Sequence, residues 1–304
     1  MTENVEQQIL SQEQLRRKEC LQDDVSRSAP SLQSTDVYFK KENYVDIKVL
    51  GRGQFGVATM VYNQITNETL VMKKIQCKQD MKQVKEEAKI LMTLNHPNVI
   101  KYYASFISDG IYYIVMEYAN GGTLEEYVNK RKEANNKFNK LTILKLFHQI
   151  MLGLNHCHQN KIAHRDLKPD NILLNFDNGK VTAKLADFGY SRLFEHSMSK
   201  TMSKVGTPLY MAPELFLDDN CQYKYECDIW SAGILFYYLC QFKVPFNGHG
   251  LGDFVQKLQI GKYDEIKDKQ LQNILLLMCR RTPTHRRSTT DIINTIVSEM
   301  KSAK

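Results

Sequence analysis

The chain has 304 residues, 42% of them hydrophobic and 25% charged, with a formal net charge of +7. This composition excludes collagen-like, low-complexity and wholly disordered chains, and the length allows one large domain or two modest lobes with cores of their own. The positive balance attracts anions in general and selects no class of partner.

The seven cysteines never form a C-x-x-C pair and suit reduced, mostly buried thiols. Met1–Leu10 carries Glu3 and Glu6 and lacks a basic start, so no signal peptide is expected. The longest uncharged run, Ile229–Phe242, falls short of the roughly 20 residues that span a bilayer and suits a buried helix. The expectation is a soluble cytoplasmic or nuclear protein, with no membrane or nucleic-acid partner.

Residues 1–43 carry eight acidic and six basic side chains, so they are net −2 and leave +9 on the remainder. Ser26–Thr35 is turn-prone, and 1–43 is expected to be a flexible N-terminal extension. From Tyr44 the pattern becomes strand-like. Tyr44–Leu50, Val57–Tyr62 and Thr69–Ile75 are short β-branched runs separated by Gly or Asn. A helix follows, with Val84, Glu87, Ile90, Leu91 and Leu94 on one face. Val99–Phe106 and Ile111–Tyr118 return to strand.

After Gly121-Gly122 the pattern is mainly helical. The predicted segments are Thr123–Arg131, Leu141–Gln159, Ile229–Phe242, Gly252–Ile260, Gln270–Cys279 and Thr289–Lys301. A β-rich third before an α-rich remainder predicts an α+β fold of two lobes: 44–116, a hinge at 117–122, and 123–298.

The glycine run Gly51-Arg52-Gly53-Gln54-Phe55-Gly56 lies between two strands. A dinucleotide-binding turn needs a helix directly after the third glycine, and here a strand follows. A hairpin lying over phosphates fits better, because glycine lets backbone N–H groups approach an anion. Lys73 and Lys74 on a later strand point to opposite faces, and the inward one can neutralise phosphate if a carboxylate such as Glu87 holds it.

His164-Arg165-Asp166-Leu167-Lys168-Pro169-Asp170-Asn171 is followed by Asp187-Phe188-Gly189 and Ala212-Pro213-Glu214. With the glycine loop and the strand lysine, this ordered set resembles the signature of protein kinases of the serine/threonine type. The nearest resemblance is to NIMA-related or Unc-51-like kinases, through Val71-Met72-Lys73, His96-Pro97-Asn98 and the run Gly206–Glu214. It covers about Tyr44 to Ser298.

The resemblance implies a two-lobed kinase fold and transfer of the ATP γ-phosphate to protein Ser/Thr hydroxyls, with Mg²⁺. It makes Asp166 the acceptor of the substrate hydroxyl's proton and brings Lys168 to the γ-phosphate. Lys73 and Glu87 form the phosphate-anchoring pair, and Asn171 and Asp187 are the metal ligands. Leu50, Gly51, Gly53, Phe55, Gly56, Ala58, Val71, Lys73, Met116, Glu117, Ala119 and Leu173 line the nucleotide site. Ala58 and Val71 exchange the sizes usual at their positions, which conserves volume over the adenine.

Glu214 and Arg286 are expected to form a structural ion pair, and the helix opened by Asp228 to anchor the catalytic loop. Phosphorylation at Ser203 or Thr201, by an upstream kinase or in trans, would draw in Arg165 and Arg192 and switch the enzyme on. Thr123 and Tyr238 stand where arginine-selecting kinases carry acids, which leaves Asp170 and predicts weak arginine selection upstream of the acceptor. Tyr190 resembles the residue that favours serine over threonine. The rival reading, a pseudokinase scaffold that binds nucleotide without catalysis, sits poorly with the presence of Lys73, Asp166, Asn171 and Asp187.

Overall fold

A computed structural model describes residues 36–53, 56–76, 88–188, 209–217 and 225–302. Phe55, Val84, Glu87, Tyr190, Arg192, Thr201 and Ser203 lie outside the described residues.

The first lobe is a five-stranded antiparallel sheet. Its strands are β1 (Tyr44–Gly53), β2 (Gly56–Asn63), β3 (Glu68–Gln76), β4 (Tyr102–Ser108) and β5 (Ile111–Glu117), in the order β1-β2-β3-β5-β4. Alternation divides its side chains. Val61, Leu70, Met72, Ala104, Tyr113 and Val115 pack with Tyr44 in a small outer core. Ile75 and Ile114 face the other way, onto helical residues 88–93 (α1), where Ala88, Ile90 and Leu91 are buried together with Leu94.

The ordered fold reaches back beyond Tyr44 into the stretch expected to be an extension. The Tyr38 hydroxyl donates to Glu68, its carbonyl accepts from the Tyr44 hydroxyl, and its ring lies 4.9 Å from that of Tyr103. An aromatic anchor with both polar ends satisfied accounts for the order at 37–43.

Helices α2 (Leu124–Glu133), α3 (Lys140–Gln159), α4 (Glu214–Leu217), α5 (Tyr225–Gln241), α6 (Leu251–Ile260), α7 (Lys269–Met278) and α8 (Thr289–Ser302) build the second lobe. α3 starts where the Asn139 side chain caps the Thr142 N–H, and it buries Leu144, Phe147, Ile150, Met151 and Leu154. α5 is buried nearly all round, as its uncharged run predicts, although it begins four residues earlier, at Tyr225. No helix among the described residues is long and apolar enough to cross a membrane.

Two departures from the expected elements position the site. A hairpin of β6 (Ile172–Asp177) and β7 (Lys180–Leu185) interrupts the helical part. Asn178 and Gly179 turn it with φ values of 47° and 76°, the geometry that Asn-Gly favours. Val99, expected to open a strand of the first sheet, instead bridges in parallel to Leu185. The Ile100 N–H donates to Leu185 O and the Leu185 N–H to Asn98 O, both at 2.9 Å, so this segment pairs with β7. β4 begins only at Tyr102.

The buried ion pair expected between Glu214 and Arg286 is present. The guanidinium meets both carboxylate oxygens, at 2.5 and 2.7 Å, stacks over Trp230, and donates to the Glu226 and Arg280 carbonyls. Removing one partner leaves a buried charge uncompensated, so Arg286→Ala should cost about 3–5 kcal/mol. Urea denaturation of the purified chain measures it, and a loss under about 1 kcal/mol would show the pair to be dispensable.

Candidate active site

The loop His164–Asn171 hangs from one buried carboxylate. Asp228, on the first turn of α5 and fully buried, accepts the His164 N–H on Oδ2 at 2.8 Å and the Arg165 N–H on Oδ1 at 2.7 Å. Nε2 of His158, from the end of α3, lies 2.8 Å from Oδ2. Burial alone would raise the Asp228 pKa. The hydrogen bond and field of His158, the field of His164 and the Arg165 N–H outweigh that and hold it below the ordinary carboxylate range.

Pinned in this way, Arg165 takes a left-handed φ of 66°, the kind of backbone strain that surrounding contacts must impose. His164 Nε2–H donates to Ala186 O at 3.0 Å, which leaves Nδ1 to accept the Asp166 N–H at 3.4 Å.

Asp166 is held from two sides. Lys168 Nζ donates to Oδ1 at 3.1 Å and Oδ2 at 2.8 Å, and Asn171 Nδ2 donates to Oδ2 at 2.8 Å and to the Asp166 carbonyl at 2.7 Å. Burial works against the Lys168 ammonium. The hydrogen bond and charge of Asp166, with the fields of Asp170 and Asp187, prevail and raise its pKa. The Ala186 N–H donates to Asn171 O, which ties the loop to the segment that carries Asp187.

Asp187 has φ 59° and lies with Oδ1 3.8 Å from Lys73 Nζ, while Phe188 is buried against the His164 ring. Lys73 is the inward lysine, paired in register with Ala58 and Ile114. Lys74 bonds Asp46 on the opposite face. Ala58, Val71 and Met116 share the face of Lys73 and are half-buried. A Cβ on Gly51 or Gly53 would meet nothing within 4 Å, so that backbone stays open to a ligand.

Beyond β5, the Gly121 N–H donates to Leu174 O at 2.7 Å and the Leu174 N–H to Gly122 O at 2.9 Å, which sets half-buried Leu173 beneath the hinge. Glu117 is anchored on both sides: Oε2 accepts the Lys101 N–H at 3.1 Å, and Oε1 lies 2.9 Å from Lys184 Nζ. The structure thus brings Leu50, the glycines, Ala58, Val71, Lys73, Met116, Glu117, Ala119, Asp166, Lys168, Asn171, Leu173 and Asp187 onto connected strands and loops. Phe55 and Glu87 lie outside the described residues.

Three contributors were not singled out from sequence. His158 and Lys184 are two of them, neither part of a recognised motif. Glu125 is the third. After burial, its carboxylate helps push the pKa of the Tyr238 hydroxyl up, and its field, with that of Asp170, reaches Tyr210 as well. Asp170 is therefore not the last acid of this surface. The available signal was position: Glu125 follows Thr123 by two residues and lies on the first turn of α2, which packs against the turn Pro169–Asn171.

The chain matches the protein kinase domain over residues 44–297. It is 38% identical over 256 residues to the serine/threonine-protein kinase Nek3 of Mus musculus, covering 83% of this chain and 49% of that protein. It is 36% identical over 259 residues to Nek8 of Danio rerio, covering 83% and 36%. Against nekl-2 of Caenorhabditis elegans it is 36% identical over 256 residues, covering 80% and 70%. The chain thus spans half or less of the length of the first two relatives.

Asp228→Asn removes an acceptor that two backbone N–H groups and His158 share. An orphaned buried donor costs about 1–3 kcal/mol, and that loss is expected at neutral pH. A carboxylate with a depressed folded pKa stabilises above its unfolded value near 3.9, and that stability is lost as pH falls through the folded value. The gap between wild type and variant should therefore close on acidification below about pH 4. Denaturation at pH 7 and pH 3 tests this; a gap that persists undiminished at pH 3 would count against the charged acceptor.

Proposed function

This chain belongs to the protein kinase family, and we propose from that premise that it phosphorylates serine and threonine hydroxyls of proteins at the expense of ATP. The observation that carries the reading is Asp166, a carboxylate fixed by Lys168 and Asn171 beside the segment that bears Asp187.

The donor chemistry of this chain suits Mg²⁺ and a nucleotide. A carboxylate on Asp187 and an amide oxygen on Asn171 are hard ligands, and Lys73 stands beside Asp187 as a phosphate anchor. When bound, Mg·ATP supplies the transferable phosphoryl group and a cation that neutralises its charge. Ala58, Val71 and Met116 present one apolar face to the adenine, and Leu173 faces it from β6. Glu117 and Ala119 offer backbone groups to its edge.

Asp166 Oδ2 already carries two donors at 2.8 Å, whereas Oδ1 carries only the longer bond from Lys168. Oδ1 is thus the oxygen for the substrate hydroxyl, which it orients and whose proton it accepts. Lys168 then turns to the charge growing on the transferred group. This division of labour places most of the rate in positioning and charge neutralisation.

The relatives' names favour serine and threonine as acceptors. Phosphorylation at Ser203 or Thr201 as the activating event is part of the same proposal. Glu125 changes the expected peptide preference, because an upstream arginine would meet Glu125 as well as Asp170.

Transfer of labelled phosphate from ATP to a generic basic protein tests the activity, with Asp166→Asn as comparison. The variant should lose on the order of 10²-fold or more in turnover and keep nucleotide affinity. Transfer by neither protein would favour the scaffold reading, and equal transfer by both would remove Asp166 from the mechanism. A positional peptide library tests the groove: basic residues upstream should be favoured modestly, and Glu125→Gln should reduce that preference about two- to fivefold. A preference unchanged by the variant would rule Glu125 out.

A further inference from the structure

The larger lobe carries a hollow apart from the residues of the nucleotide site. Between the α2–α3 connection and the end of α5 lies a cavity of about 300 Å³ lined by Lys132, Asn135, Lys137, Gln241, Phe242 and Lys243. Three lysines, an asparagine, a glutamine and a phenylalanine line it, and no acidic residue is among them.

Lys243 lies 2.6 Å from Asp264, an exposed pair of the kind worth about 0–1 kcal/mol. Among the described residues no carboxylate pairs with Lys132 or Lys137. Lys132 has an ordinary explanation, since a cation on the last turn of α2 complements the helix dipole. Lys243, two residues past the end of α5, is placed to complement that helix in the same way, whereas Lys137 lies between helices and has no such explanation.

The walls are held firmly. Asn135 and Phe242 both take left-handed backbone conformations, with φ of 48° and 56°. Both follow the last turn of a helix, where a left-handed residue is a common terminus, although Phe is an unusual occupant of it. Phe242 is fixed by its N–H on Tyr238 O at 2.8 Å and by its ring, edge-on at 5.4 Å to Phe138. It thus gives the hollow an apolar side among the three lysines.

We propose that this hollow binds a phosphoserine or phosphothreonine side chain of a peptide. A phosphomonoester carries about −1.5 to −2 charge at pH 7 and three acceptor oxygens, which matches three ammoniums and two amide donors. A concave cavity with an apolar side suits a side chain that brings both carbon and phosphate, and it suits a flat membrane surface less well. The kinase reading adds that the enzyme's own product has this chemistry. A substrate docked by a first phosphate would keep its next hydroxyl at high local concentration. The docking rests on that reading only for its purpose, and binding is measurable without transfer.

Fluorescence anisotropy on the full chain tests it, with a labelled phosphoserine peptide against the same peptide carrying serine. The phosphopeptide should bind at least about fivefold more tightly, and less so at high salt. Lys132→Ala with Lys137→Ala should bring the two peptides within about twofold and leave turnover of a non-phosphorylated peptide substrate unchanged. Asp264→Asn, which releases Lys243, should tighten the phosphopeptide about two- to threefold. Equal affinity for both peptides, or a preference that survives the double variant, would overturn the proposal. So would binding to phosphatidylcholine–phosphatidylserine vesicles without a phosphopeptide preference. Failure of phosphate transfer with the peptide preference intact would fault the kinase reading alone.

Discussion

One buried carboxylate organises the functional half of this molecule. Asp228 lies within an apolar core, where an isolated charge would be costly, and it is tolerable because two backbone N–H groups and His158 meet it. The same bonds fix the backbone at His164 and Arg165 and force the left-handed turn that presents Asp166. Core and chemistry are therefore one structure. α5 is buried because the lobe needs a centre, and its first turn carries the group from which the loop hangs.

From that anchor the constraints run outward. His164 bonds to Ala186, Asn171 to Asp166, and Ala186 back to Asn171, so the Asp166 and Asp187 segments are tied together. On the other side, Lys184 joins Glu117 at the hinge to the carbonyl of Pro97. Leu185 pairs with the segment 98–100. The β6–β7 hairpin is thus the common neighbour of the hinge, the Asp187 segment and the segment 98–100 that precedes β4.

Much of this was legible in the sequence, for physical reasons. The long amphipathic or fully apolar segments gave their helices to within a few residues, because periodicity over several turns is a strong signal. The motif residues could be read because phosphoryl transfer restricts which side chains serve. The β6–β7 hairpin was missed although Asn178-Gly179 marks its turn, since its strands are six residues each and sit between helices. Tyr38, His158, Lys184 and Glu125 share another reason. Each acts through a partner distant in sequence, and local pattern carries no information about such contacts. Val99 shows the converse, where a good strand sequence pairs with a strand of the other lobe.

The account stands on the claim that Asp228 serves the chemistry through the geometry of Asp166. A double-mutant cycle on turnover, with Asp228→Asn, Asp166→Asn and both together, tests it most directly. If Asp228 acts through the loop, its substitution should cost at least about tenfold in the wild-type background and little more once Asp166 is gone. Costs that multiply independently in the double variant would show that Asp228 holds the fold without positioning the carboxylate.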